Sequence, residues 1–199
     1  MKNSTIILIT FILMSIVYSI VGSIEKANLL YAASIIFVAG YGILKKEINI
    51  THIALIFFTI YSFEYFIIEI FTEKLKEIGM SKIFIANIHF GFQITSSLIA
   101  TVILIFRVQL SRLITKSEEV SLTLFDGITP WIYIYMTLIS TLTAVEYNLD
   151  YFFDFKYFSF VYDYYEVFIH ISMSAVISTL LSMLICHEKD LKKQTKNIE

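Results

Sequence analysis

Breakers, cysteine and charge are all scarce in this chain. It has one proline, one cysteine and six glycines in 199 residues, and charged residues make up only 16% of it. A lone Cys186 excludes an intramolecular disulfide and any cysteine-built zinc cage. With so little charge and so few turn-forming residues, a soluble domain of this length is excluded as well. No Gly-rich phosphate loop, H-E-x-x-H or G-x-S-x-G motif is present, so nothing marks the chain as an enzyme. No cofactor, metal or nucleic-acid site is read from it. No low-complexity linker and no internal repeat is found.

What is present is hydrophobic: 57% of the residues, gathered in runs long enough to cross a bilayer. Six runs are read, at about 5–24, 29–44, 50–71, 83–106, 130–148 and 163–186. The first is too long for a signal-peptide core and lacks a good cleavage site, so it reads as an anchor. The second is the shortest. The expected fold is a single all-α polytopic transmembrane helix bundle over 1–199, with a four-span arrangement as the alternative. Val108, Leu110, Leu113 and Ile114 predict that the fourth helix continues beyond the bilayer as an amphipathic segment. Thr129 as N-cap, Pro130 in the first turn and Trp131 as interfacial anchor start the fifth span.

Charge placement orients the bundle. With six spans and an inward N-terminus, Lys2, Lys45, Lys46, Arg107, Arg112, Lys116, Lys189, Lys192, Lys193 and Lys196 lie inside. Lys26, Lys74, Lys76, Lys82 and Lys156 lie outside. Both termini are then cytoplasmic, as in a multi-pass protein of a bacterial inner membrane. The loop 107–126 and the basic tail 187–199 face a soluble partner or anionic lipid, and the aromatic–acidic loop 149–162 faces outward. The partner-binding candidates are Arg107, Arg112, Lys116, Lys192 and Lys193.

Helical spacing aligns Lys156, Ser159, Asp163, Glu166 and His170 on one face. In this topology Glu64, Glu69, His89, Gln93, Glu146, Glu166 and His170 all fall in the outer half of the membrane, most within roughly 10 Å of its surface. Ionisable groups at that depth normally face a bundle interior or a wet cavity. Three readings compete for the layer. It can cross-link helices, through pairs such as His89 with Glu64 or His170 with Glu146. It can sense or gate, since His and buried carboxylates titrate near neutrality. Glu166 and His170, one turn apart, could also begin a metal site, but no second His motif accompanies them. The ten aromatics between Tyr151 and Tyr165 suit a membrane interface.

Two weaker signals are set aside. Val38-Ala-Gly-Tyr-Gly42 is similar to the potassium-channel filter, but lacks its Thr and a preceding pore helix. The small residues there, with Ala32 and Ala33, suit close helix packing instead. Cys186 near the inner surface reads as an inert apolar-side thiol.

The whole chain resembles KwaA, the membrane subunit of the Kiwa anti-phage defence system, in size, in Ile/Phe/Tyr/Lys-rich composition and in its opening MKNSTIILITFILMSIVYSIVGSIEKANLL. The resemblance implies a homo-oligomer, with a tetramer as the candidate stoichiometry. It implies sensing of phage attachment or envelope disturbance, and action with a cytosolic DNA-binding partner, KwaB. It carries over no catalytic residue. That family is associated with four spans, where six runs are read here. The rival expectation is a small transporter or substrate-capturing membrane subunit with an outward-facing polar cavity.

Overall fold

The computed structural model describes residues 3–21, 23–117, 119–155 and 159–196. Lys2, Glu118 and Lys156 lie outside them. Among the described residues there is no strand. The helices are α1 (Asn3–Val21), α2 (Ile24–Leu44), α3 (Ile48–Phe63), α4 (Glu69–Glu77), α5 (Lys82–Ile105), α6 (Arg107–Thr115), α7 (Thr129–Phe153), α8 (Phe160–Asp163) and α9 (Tyr165–Lys196). A π-helical turn, Glu64–Ile68, joins α3 to α4 in one continuous run. Six helical segments are long and apolar enough to cross a membrane, in agreement with the six runs.

The boundaries shift where capping decides them. The second span starts at Ile24, five residues before its apolar run, because Ser23 caps it by accepting a hydrogen bond from the Lys26 backbone N–H. The fifth continues to Phe153 and stops where Asp154 turns left-handed at φ 50°. Thr129 does not act as the N-cap. It is the buried first residue of α7, and Thr123 instead caps the short 3₁₀ turn Leu124–Gly127 through a reciprocal box with Asp126. The basic tail is helical through Lys196, as a continuation of α9. The filter-like residues Val38 to Gly42 lie inside α2, where helical carbonyls bond along the axis and cannot line a pore.

Packing is organised around α9. It touches α1, α2 and α7, while α2 pairs with α3 and α5 pairs with α7. Small hydroxyl residues line its inward faces: Ser172, Ser174, Ser178, Thr179 and Ser182 are all buried. Lipid tails are as apolar as leucine, so membrane helices gain contact by close approach, which small residues permit. Most of these hydroxyls donate to a carbonyl one turn back, as Ser174 does to His170 and Thr179 to Ala175. A cross-helix polar contact holds α1, between Thr10 Oγ1 and Ser182 Oγ at 2.8 Å. The apolar core at the centre comes from α2, α3, α7 and α9, with Ile35, Val38, Ile53, Phe57, Tyr133 and Ile177 fully enclosed.

The short turn between α2 and α3 is the tightest part of the bundle. Only Lys45, Lys46 and Glu47 separate the two helices, and Lys46 takes the left-handed conformation at φ 56°. Gly42 faces Thr51 so closely that an added Cβ would stand 2.5 Å from the Thr51 hydroxyl and 2.8 Å from its backbone nitrogen. Gly40, in the same apparent cluster of small residues, faces open space.

Candidate functional site: a carboxyl on a π turn

The π turn has a sequence consequence. Its i→i+5 bonding inserts an extra residue per turn, so the side chains on either side of it fall out of α-helical register. Glu64 is its first residue, and ordinary helical spacing from the buried Phe57 and Ile60 places it on the inward face of α3. Its Oε1 accepts a hydrogen bond from Ser96 Oγ of α5 at 2.7 Å. Tyr31 on α2 and Tyr133 on α7 are buried in the core of the bundle. Tyr165 of α9 donates to Gln93 Oε1 of α5 at 2.5 Å, and its ring lies edge-on to Phe90. Ser96 and Gln93 thus link α5 to Glu64 on one side and to Tyr165 of α9 on the other. Measured along α3, Glu64 lies about 22 Å from Asn49, toward the end of the bundle that carries α4.

The expected polar layer therefore separates into groups. Glu64 and Gln93 belong to the inner cluster just described. Glu146 is a loop anchor: it is buried, and its Oε2 accepts from the Tyr162 backbone N–H at 2.8 Å, pinning α8 against α7. His170 faces Tyr18 of α1, with ring centroids 5.9 Å apart. Among the described residues, His170 Nε2 and the Tyr18 hydroxyl are buried without a hydrogen-bond partner. Neither expected pair forms. Glu64 is held by Ser96 rather than His89, and Glu146 by a backbone amide rather than His170. The spacing arguments placed these residues at similar depth, but depth does not set the azimuth of each side chain about its helix.

The polar stripe is also cut. Tyr164 leaves helical geometry between α8 and α9, so Ser159 and Asp163 lie on one short helix and Glu166 and His170 on the next. Ser159 donates to Asp163 Oδ2 at 2.7 Å, while Asp163 and Glu166 are exposed. Glu69 opens α4, and its side chain lies outside what the structure describes. No group of three or more His, Cys, Asp or Glu that could hold a metal occurs among the described residues.

His89 stands apart in an outward pocket of about 380 Å³. Lys76, Lys82, Phe90, Tyr147 and Tyr162 share its lining. Above it, Asn87 of α5 and Asn148 of α7 exchange amide hydrogen bonds at 3.0 and 2.6 Å.

At the opposite end, the basic residues divide by role. Arg107 is corrected from a partner contact to an internal pin, because its side chain is only 1% exposed. Its Nε donates to Asp126 Oδ1 at 2.6 Å and Nη2 bonds Asp126 Oδ2, a bidentate pair. Nη1 reaches Asn49 Oδ1 at 2.9 Å and Nη2 the Ser121 carbonyl at 2.8 Å. Arg112 is exposed but spends Nε and Nη2 on the Val120 carbonyl. The loop 107–126 is accordingly folded back on the bundle rather than free, with Val120 and Phe125 buried. Lys116, Lys192 and Lys193 are exposed. So are Leu113 and Ile114 on α6, whose buried residues are Arg107 and Ser111.

The tyrosine hydroxyls were missed by sequence reasoning, which counted tyrosine as interfacial. The available signal was depth: Tyr31 and Tyr133 interrupt apolar runs well away from a helix end or beside buried neighbours, where a phenol must find a polar partner. Fold and site together define an all-α, multi-pass membrane bundle with a half-buried carboxyl between its helices. Compared with known protein families, curated proteins and solved structures, the chain matches none.

Proposed function

We propose that the chain is a non-enzymatic membrane sensor and scaffold of an anti-phage defence system, acting on a cytosolic DNA-binding effector. The observation that carries the sensing half is Glu64, an ionisable group at the start of a π turn that accepts a hydrogen bond from Ser96 of α5, one turn from Gln93, which is bonded to Tyr165 of α9. A carboxyl in that setting has two charge states with different demands on its neighbours. The π turn has two registers available, since regaining α geometry rotates everything beyond it. Contact or strain on the outward α4 segment would bias that register, and Ser96, Gln93 and Tyr165 would pass the change to α5 and α9. An element with two packings, each favoured by different contacts, is the minimum that a switch requires. The exposed α6 and the lysines of α9 form the inward surface. The resemblance of the opening segment to KwaA supports the defence assignment.

Glu64→Leu in cells carrying the complete system is expected to abolish protection in a phage plating assay. The protein should remain in the membrane and still co-purify with its effector. Full protection by that variant would sink the reading. Lost co-purification would move the role of Glu64 from signal to docking.

The outward pocket favours a second reading, capture of a small anion between Lys76, Lys82 and His89. A solute-capture protein is expected to bind such an anion in micromolar-to-millimolar isothermal titrations and to lose it on Lys82→Gln with His89→Leu. A flat titration against small carboxylates and phosphate removes that reading.

A further inference from the structure

We infer that the groove between α1, α2 and α9 is a binding site for one anionic glycerophospholipid. Its acyl chain would lie in the groove and its headgroup on the lysine face of α9. The groove has a volume of about 910 Å³. Ile6, Ile9 and Leu13 of α1 wall one side, at helical steps of three and four, and Leu184 and Ile185 of α9 wall the other. Phe37 of α2 closes the floor. From Leu184 to Lys196 it runs about 18 Å along α9.

Three observations select this occupant. First, one face of α9 changes character along its length. Leu184 and Ile185 give way to Lys189, Lys192, Lys193 and Lys196, spaced three, one and three, all lining the same groove. An apolar trough that ends in a cationic rim matches a lipid, with hydrocarbon below and phosphate above.

Second, the polar atoms within the groove are already engaged. Thr10 Oγ1 contacts Ser182 and donates to carbonyls of its own helix. Tyr41 OH donates to Glu188 Oε1 at 2.7 Å, and Lys45 Nζ lies 3.3 Å from that same oxygen. The acid at the mouth is thus compensated by a lysine outside the groove, and the rim keeps its positive sign. Lys193 has a contact with Asp190 at 3.4 Å, but both groups are about two-thirds exposed and the pair is weak.

Third, α1 lies on α9 and makes little contact elsewhere, so the groove is the open angle beside that pair. A lipid there would tie α1 to α2. The site is separate from Glu64, and lipid retention can be measured without any phage assay.

Native mass spectrometry of the full chain, released from mixed micelles of dioleoyl phosphatidylglycerol and dioleoyl phosphatidylcholine, tests the site. One phosphatidylglycerol per chain should be retained in preference to phosphatidylcholine. Each lysine near an anionic surface contributes about fivefold in affinity, so Lys192→Gln with Lys193→Gln should weaken retention roughly 25-fold. Ile9→Trp, which fills the trough and leaves the rim intact, should abolish it. Lys26→Gln with Lys74→Gln, at the opposite end and outside both pockets, should change nothing. Leu13→Trp serves as the second trough variant if Ile9→Trp does not extract as folded protein. Equal retention of the two lipids overturns the proposal. So does loss on the lysine variant with full retention in the trough variants, which would show surface attraction without a built site. A shift to dimer mass with no lipid, lost on Ile9→Trp, would assign the groove to a second copy and overturn it as well.

Discussion

Replacing Arg107 by Ala should lower the stability of the purified protein by about 3–5 kcal/mol, read as the shift of its denaturant unfolding midpoint in micelles. The guanidinium is almost wholly enclosed, and it bonds Asp126 twice, Asn49 and the Ser121 carbonyl. These contacts gather the end of α5, the start of α3 and the returning loop into one knot. Truncation leaves the Asp126 carboxylate buried, with only the Thr123 backbone N–H and hydroxyl still donating, at 2.6 and 2.7 Å. An uncompensated buried charge accounts for most of the loss, rather than the attraction that has been removed. Lysine should restore little, because a single ammonium cannot supply the planar fork that meets both carboxylate oxygens. Removing both charges, as Arg107→Met with Asp126→Leu, should recover more than half of the loss. If Arg107→Ala unfolds with the wild-type midpoint, the knot is not what holds this end together. The same variant would abolish effector binding through unfolding, so charge reversal at the exposed Lys116 is the cleaner probe of docking.

Gly42→Ala should cost about 1–3 kcal/mol, the range for overpacking a tight interior contact. A methyl group there meets Thr51 at 2.5 Å from its hydroxyl, 2.8 Å from its backbone nitrogen and 3.1 Å from its Cα. The hydroxyl could move, but the backbone cannot, because the Thr51 N–H is bonded to the Glu47 carbonyl at 3.1 Å. The α2–α3 hairpin would have to open. Thr51→Ala added to Gly42→Ala should therefore rescue only a minor part. Gly40→Ala, two residues away and facing open space, should leave the midpoint within about 0.5 kcal/mol of wild type or raise it slightly, as Ala is the better helix former. Equal effects at the two glycines would contradict the close approach at Gly42.

The contrast between these glycines marks how far a linear pattern reaches. Ala39, Gly40 and Gly42 look alike as small residues in an apolar run, yet Ala39 is buried, Gly40 faces space and Gly42 touches the next helix. The same limit acts on the polar residues. Glu64, His89 and Glu146 were placed in the outer half by counting from the ends of their runs. Counting along an axis says nothing of the angle around it, and the π turn shifts that angle for the residues after Glu64. Arg107 misled for a related reason: a basic residue just past an apolar run reads as a surface charge until the loop brings Asp126 back to it.

Hydropathy by itself determined the six helices and their order, because backbone in lipid must bond within helices or closed barrels, and continuous apolar runs of this length fit only helices. It also singled out Glu64 as an acid in an expensive place. Tertiary structure alone decided the company each polar group keeps: Ser96 for Glu64, a backbone amide for Glu146, and a knot rather than a partner for Arg107. Such pairings depend on helix rotation and on returning loops, both set by the packing of distant side chains, and no local run of residues encodes them.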